Sequence, residues 1–191
     1  RVSPAMSIRL LKALEPYYPL FVEEPVLPEN VDEMVRVSRS TTIPIAAGER
    51  LFTKFGFREL IEKQAVSVVQ PDLCHCGGIF EARKIAAMAE TYYMQIAPHN
   101  PLGPISLAAC MQLDACVPNL LAQEHPGMPD HADLGVGILK TPFKIEDGYI
   151  RIPEGPGLGI EVDESKLDAL RFDGTWDTPH LEFEDGSIAD W

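Results

Sequence analysis

Long apolar runs are missing from this sequence, and so is any excess of positive charge. No stretch approaches the ~18 consecutive apolar residues that a bilayer span takes, and no leader segment opens the chain. Lysine and arginine number 16 against 29 aspartates and glutamates, a net charge of −13. Nucleic acid and anionic membrane both call for a basic surface, so neither is an expected partner. Cysteine is scarce as well. Cys74, Cys76, Cys110 and Cys116 do not make a disulfide framework, and the default expectation is a reducing cytoplasm. Cys74-His75-Cys76 lacks the four ligands and the C-x2-C spacing of a zinc site. Adjacent side chains at a strand end also point opposite ways, which separates the two thiols. Cys110 and Cys116 fall in an apolar helical pattern and read as small core residues. Nor is there a dinucleotide fingerprint: Gly155-Pro156-Gly157-Leu158-Gly159-Ile160 carries a proline and precedes no long helix. Repeats and low-complexity segments are absent.

What is present is a series of short apolar runs, each ending in an ionisable group. Leu20-Phe21-Val22-Glu23-Glu24-Pro25 is the first. Ile43-Pro44-Ile45-Ala46-Ala47-Gly48-Glu49, Val66-Ser67-Val68-Val69-Gln70-Pro71-Asp72 and Met94-Gln95-Ile96-Ala97-Pro98-His99 repeat the arrangement. A last run, Leu120–Ala122, leads into Gln123-Glu124. Amphipathic stretches separate them. A helix capped by Ser3 with Pro4 at its first position stops before Pro16. Asn30 caps a helix over Val31–Arg39, and further helices are expected over Lys54–Lys63, Ile79–Tyr92 and Ile105–Val117.

Uninterrupted β-α alternation means parallel strands, in an open doubly wound sheet or in a (β/α)8 barrel. The acidic strand ends favour the barrel, where consecutive strands deliver groups around one point; an open sheet places its site at a single switch point. A full barrel takes ~250 residues and eight units. This chain offers fewer, so the expectation is the C-terminal part of a TIM-like barrel. Residues 1–140 would form the barrel part, and residues 141–191 a hairpin, a last barrel segment and a tail. Phe143–Ile152 is the hairpin, turning at Asp147-Gly148. Val162–Leu170 reads as a helix capped by Asp163. In the tail from Arg171, Trp176 and Trp191 point to docking on another surface.

The strand ends carry the chemistry. Glu23 and Glu49 are hard oxygen donors on neighbouring strands, a set suited to Mg2+; the plainer alternative is a pair of solvated rim acids. Such a cation would let an acidic protein take an anionic substrate. Asp72 and His99 close successive strands, and a carboxylate fixed against an imidazole sets its tautomer and makes a base near neutral pH. The alternative is a lone rim histidine with a satisfied hydrogen bond. Glu124, if protonated, could hydrogen-bond to a developing oxyanion, or simply pair with a rim arginine such as Arg50.

Together, Phe21-Val22-Glu23-Glu24-Pro25, Gly48-Glu49-Arg50, Gln70-Pro71-Asp72, Gly77-Gly78-Ile79, Ala97-Pro98-His99 and Gln123-Glu124 resemble the enolase superfamily, in its mandelate racemase-like branch. Pro98-His99-Asn100-Pro101-Leu102-Gly103-Pro104-Ile105 and Gly155-Pro156-Gly157-Leu158-Gly159 resemble its acid-sugar dehydratases, those acting on galactonate in particular. The resemblance implies a (β/α)7β barrel with an N-terminal capping domain, on which the tail would pack. It implies Mg2+ on Glu23 and Glu49, a general base at His99 oriented by Asp72, and Glu124 near the enolate oxygen. It places a third carboxylate ligand and the acid for the leaving hydroxyl just ahead of Arg1, with Arg1, Glu124 and His99 as substrate contacts. The implied reaction is loss of water from a sugar acid to give a 2-keto-3-deoxy acid, in a homo-oligomer. Alternatives are another aldonate or aldarate, racemisation, or a non-catalytic role for the 191 residues alone.

Overall fold

A computed structural model of the chain describes residues 3–171, 174 and 181–188. Helix α1 spans Pro4–Leu14, started by the Ser3 hydroxyl accepting from the Met6 amide. Strand β1, Val22–Glu23, leads to α2, Val31–Ser38, whose first turn is held by the Asn30 side chain accepting from the Glu33 amide. Then come β2 (Ile45–Ala47), α3 (Thr53–Glu62), β3 (Val68–Val69), a short turn α4 (Leu73–Cys76) and α5 (Gly78–Glu90). Strand β4 (Gln95–Ile96) and α6 (Pro104–Asp114) complete the alternation. The four strands form one sheet in the order β1-β2-β3-β4, every pair parallel. Sequential order with a helix between strands is the winding of a (β/α) barrel, as the strand ends led one to expect.

Side-chain parity sorts the sheet into two faces. Ile45, Ala47, Val69 and Ile96 belong to the larger core, packed with Phe57, Leu60, Ile61, Ile85 and Leu113 from the helices. Ala46, Val68 and Ala97 form a separate small cluster with Phe21 and Leu121 on the opposite, inward face. The helices therefore bury one face, and the other is lined by small side chains beneath the rim.

Several expected elements differ in detail. The run Leu120–Ala122 makes only an isolated parallel bridge, Ile96 to Leu120, and no full strand. The ladder stops because the next rung, after Leu121 N to Ile96 O, would have to be donated by residue 98, and Pro98 has no N–H. Cys74-His75-Cys76 lies on the helical turn α4, with no strand-end alternation, because the Asp72 carboxylate accepts from the Cys74 and His75 amides and winds the chain. Cys76 and Cys110 are buried, but Cys116 is exposed, since α6 ends at Asp114 and leaves it outside the packed face. The hairpin is shorter than Phe143–Ile152: β5 (Ile145–Glu146) pairs antiparallel with β6 (Tyr149–Ile150). Its turn has Asp147 at φ 53° and Gly148 at φ 81°, the geometry that Asp-Gly favours. Helix α7 covers Glu164–Leu167 and tightens into a 3-10 turn; the Asp163 carboxylate is engaged by the Ser165 hydroxyl at 2.6 Å and caps no backbone amide. Arg1, Trp176 and Trp191 lie outside the described residues.

The segment after Leu134 closes over α6. Phe143 and Ile150 pack on Leu107, Met111 and Leu134, and the Gln112 amide donates to Pro153 O and Leu158 O. Covered on this side and by α5 on the other, α6 can be apolar nearly all round. Its last residue, Asp114, is the exception. Burial alone pushes its carboxyl up to about 7, and the carboxylate also faces the negative end of its own helix. A raised carboxyl pKa is a stability cost that grows from the unfolded value near 3.8 up to about 7 and stays constant above it. Asp114→Asn is expected to stabilise the protein at pH 8 by up to about 4 kcal/mol and to leave it unchanged at pH 3.5, as read from thermal unfolding at the two pH values.

Candidate active site

Above the small inward cluster, the next side chains of the same parity are Glu23, Gly48, Gln70 and His99. Strand tilt staggers neighbouring strands enough to bring this tier together although hydrogen-bonded partners are Glu23, Ala46, Val68 and Gln95. The sequence-derived site residues meet here. His99 Nδ1 is 2.9 Å from Asp72 Oδ2, and His99 Nε2 is 2.9 Å from Glu49 Oε2. The imidazole is 12% exposed and the Asp72 side chain 0%. Asp72 is fully used: Oδ1 accepts from Cys74 N at 2.7 Å and His75 N at 3.2 Å, which leaves Oδ2 for the imidazole.

The charges explain the titration behaviour. Burial opposes ionisation of Asp72, but the hydrogen bonds from His99 and the Cys74 amide outweigh it and hold its carboxyl below the ordinary range. For His99, burial disfavours the cation, yet the Asp72 hydrogen bond and the Glu49 and Glu124 charges prevail and raise it. Glu23 is pushed up by burial first and then by repulsion from Glu49 and Glu124, with His99 and the Gln70 amide pulling the other way. Three carboxylates thus crowd one space that contains a single imidazole.

Glu124 is held as the sequence did not foresee. Its Oε2 accepts from the Asn100 backbone amide at 2.7 Å, and Asn100 Nδ2 donates to Glu124 O at 3.3 Å. Arg50 does not pair with it. That guanidinium lies 3.3 Å from Glu24, 3.7 Å from Glu49 and 3.9 Å from Glu29, on the outer side of the rim. Glu24 reaches it because its backbone turns left-handed, at φ 36°, directly after Glu23. Of the two neighbouring acids, Glu24 is the one within reach of Arg50.

The contact between Glu49 and His99 was not anticipated either; they had been given separate roles. Asn100, fully buried, and His75, whose ring nitrogen lies 3.3 Å from Glu49 O and 3.8 Å from Asp72 Oδ2, were also missed. Parity was the available signal for Gln70 and Gln123, two residues beyond Val68 and Leu121 on the inward face. A second carboxylate–histidine pair, His125 Nδ1 to the buried Asp133 at 2.8 Å, follows Glu124 in the chain and staples the next loop through Gly127 and Met128.

As for a cation, Glu23 and Glu49 supply hard oxygen donors in an acid-rich pocket, which fits Mg2+. Among the described residues no three His, Cys, Asp or Glu side chains are grouped to hold a metal ion. The chain thus offers a partial ligand set. Among the same residues no helix is long and apolar enough to cross a membrane.

Comparison with known proteins adds the following. The family model described as Enolase C-terminal domain-like matches residues 1–166. The chain is 47% identical over 197 aligned positions to a D-galactonate dehydratase of Variovorax paradoxus, covering 100% of this chain and 51% of that protein. A D-galactonate dehydratase of Ralstonia pickettii gives the same identity and coverage. Among solved structures, a mandelate racemase/muconate lactonizing enzyme-like protein from a Roseovarius species superposes with a TM-score of 0.85 at 44% identity, over 99% of this chain and 46% of that one. A mandelate racemase/muconate lactonizing enzyme from a Sulfitobacter species superposes with a TM-score of 0.85 at 43% identity, over 98% and 46%. The chain spans about half the length of the curated relatives it matches.

Gly48 is where the rim is tightest. Its φ is +152°, and a Cβ there would sit 2.7 Å from Gln70 O and 2.8 Å from Gln70 N. Gly78, at φ +82°, has nothing within 4 Å of its own added Cβ. Gly48→Ala is expected to cost more than the strain of about 1–3 kcal/mol that Gly78→Ala incurs, because β2 and β3 must also move apart. Urea midpoints of the two variants measure the difference; equal midpoints would refute the close approach.

Proposed function

This chain belongs to the Enolase C-terminal domain-like family, and we propose that the protein containing it removes water from a sugar acid, D-galactonate first among candidates, to give a 2-keto-3-deoxy acid. The observation that carries this reading is the Asp72–His99 pair, fully buried on its acid side and set beside Glu23 and Glu49. Asp72 engages Nδ1, so Nε2 is the atom that takes a proton. In the reaction His99 Nε2 accepts the proton from the carbon next to the substrate carboxylate, the β-hydroxyl leaves with a proton as water, and the resulting enol becomes the keto acid. His99 is suited to hold that proton, since Asp72, Glu49 and Glu124 all favour the imidazolium.

Glu23 and Glu49 would hold Mg2+, which when bound neutralises the substrate carboxylate and lowers the barrier to removing the adjacent proton. Glu49 Oε2 lies against Nε2, and Oε1 would be the oxygen it offers to a cation. Without a cation or substrate to balance them, Glu23, Glu49 and Glu124 repel one another, as the raised Glu23 carboxyl records. Glu124, held by Asn100 from two sides, would in its protonated form donate to the oxygen where negative charge develops. Further cation ligands and the proton for the departing hydroxyl fall to water, substrate or groups outside these residues. The partner is a small sugar acid.

His99→Asn in the full-length protein is expected to lower kcat for D-galactonate by at least about 10²-fold while Mg2+ binding persists. Release of the 2-keto-3-deoxy acid, followed against a panel of aldonates and aldarates, is the assay. Unchanged turnover by the variant would reject the assignment of the base, and turnover of a different acid would reassign the substrate.

A further inference from the structure

Beyond the tier already described, one pair of ionisable groups repeats the construction of Asp72 and His99. Asp133 is 1% exposed, and every contact it makes is spent on the chain just after Glu124. Its Oδ2 accepts from His125 Nδ1 at 2.8 Å and from the Gly127 amide at 3.1 Å, and its Oδ1 accepts from the Met128 amide at 3.2 Å. Burial opposes ionisation of this carboxyl, but the hydrogen bonds from His125 and the Gly127 amide hold it below the ordinary range. An ionised carboxylate only accepts, so Nδ1 carries a proton and the lone pair of the neutral ring lies at Nε2. Nε2 has no partner among the described residues, and the His125 side chain is 31% exposed. The loop carrying this pair is tied at both ends to the rim segment that begins with His99. At its start Glu124 is bonded to Asn100, and at its end Leu134 packs on Leu107 in the first turn of α6.

We propose that His125 is a specificity-determining substrate contact: its Nε2, held in one tautomer by Asp133, accepts a hydrogen bond from a hydroxyl of the sugar acid beyond the two carbons that react. The inference rests on the dehydratase reading above. Such a substrate carries several hydroxyls that leave water on binding, and each is costly unless it finds a partner. A neutral imidazole suits that task, because it accepts a hydrogen bond without adding a charge to a rim already crowded by Glu23, Glu49 and Glu124. Stapling the loop explains less of the arrangement. Asp133 needs only a donor at position 125, which an asparagine would also supply, whereas a histidine brings a second nitrogen that the loop leaves open.

The test measures kcat/KM and Tm for full-length wild-type protein, His125→Asn and Asp133→Asn. The substrates are the sugar acid that the wild type turns over, D-galactonate first, and its analogues lacking one hydroxyl in turn at carbons 4, 5 and 6. Asn at 125 keeps a donor for Asp133 and removes Nε2; Asn at 133 keeps the volume and releases the tautomer. On the parent acid both variants are expected to lose about 10-fold in kcat/KM, with the Tm of His125→Asn level. On the one analogue that lacks the contacted hydroxyl, variants and wild type are expected to match. An analogue that is not turned over is compared by its inhibition constant against the parent acid. Should one variant fail to fold, the other carries the comparison. An equal loss on all four acids, the mark of a loop staple, would overturn the inference, as would no loss on any. If the wild type turns over no sugar acid, the dehydratase reading fails and this inference with it. Wild-type turnover with equal losses, or none, sinks this inference alone.

Discussion

The site depends on one carboxylate. Asp72 is removed from water entirely, and it stays ionised because three hydrogen bonds replace the lost hydration: two from backbone amides and one from the His99 imidazole. The carboxylate that begins the turn α4 through Oδ1 also orients the imidazole through Oδ2. Secondary structure and site geometry are therefore coupled through a single group, and neither can shift without the other. A buried charge of this kind is expensive to isolate, so loss of either partner exposes the full desolvation cost.

Around it, charge is sorted by the wall of the barrel. Inside stand Glu23, Glu49 and Glu124, with the His99 imidazole among them. Outside stands Arg50, drawing on Glu24, Glu29 and one oxygen of Glu49. Glu49 is the shared element, touching both the arginine and the imidazole. One oxygen of Glu49 faces the guanidinium and the other the imidazole.

Much of this could be read from residues alone. The alternation of apolar runs and amphipathic stretches gave parallel strands in sequential order, and each run's last polar residue named the rim. Asp72 and His99 met because neighbouring parallel strands end side by side. What escaped was any interaction between residues on the same rim that pattern does not rank. Arg50 had several acids within reach, and only the left-handed turn at Glu24 decides which ones it takes. Asn100 was hidden behind His99, since a buried asparagine has no periodic signature. The weakness of the last strand was legible and went unread: Pro98, having no N–H, cannot donate the next rung. Cys116 was misplaced because apolar periodicity runs on past the point where α6 ends.

The left-handed backbone at Glu24 has a consequence for how this wall can vary in length. Glu23 and Glu24 are chemically identical, and only the φ reversal held before Pro25 assigns one to the interior and the other to Arg50. Because strand parity has a period of two, inserting one residue between Phe21 and Glu23 would exchange the directions of the two acids while leaving both in place. Substitution can be absorbed at many surface positions of this chain; a single-residue change of length in that stretch cannot.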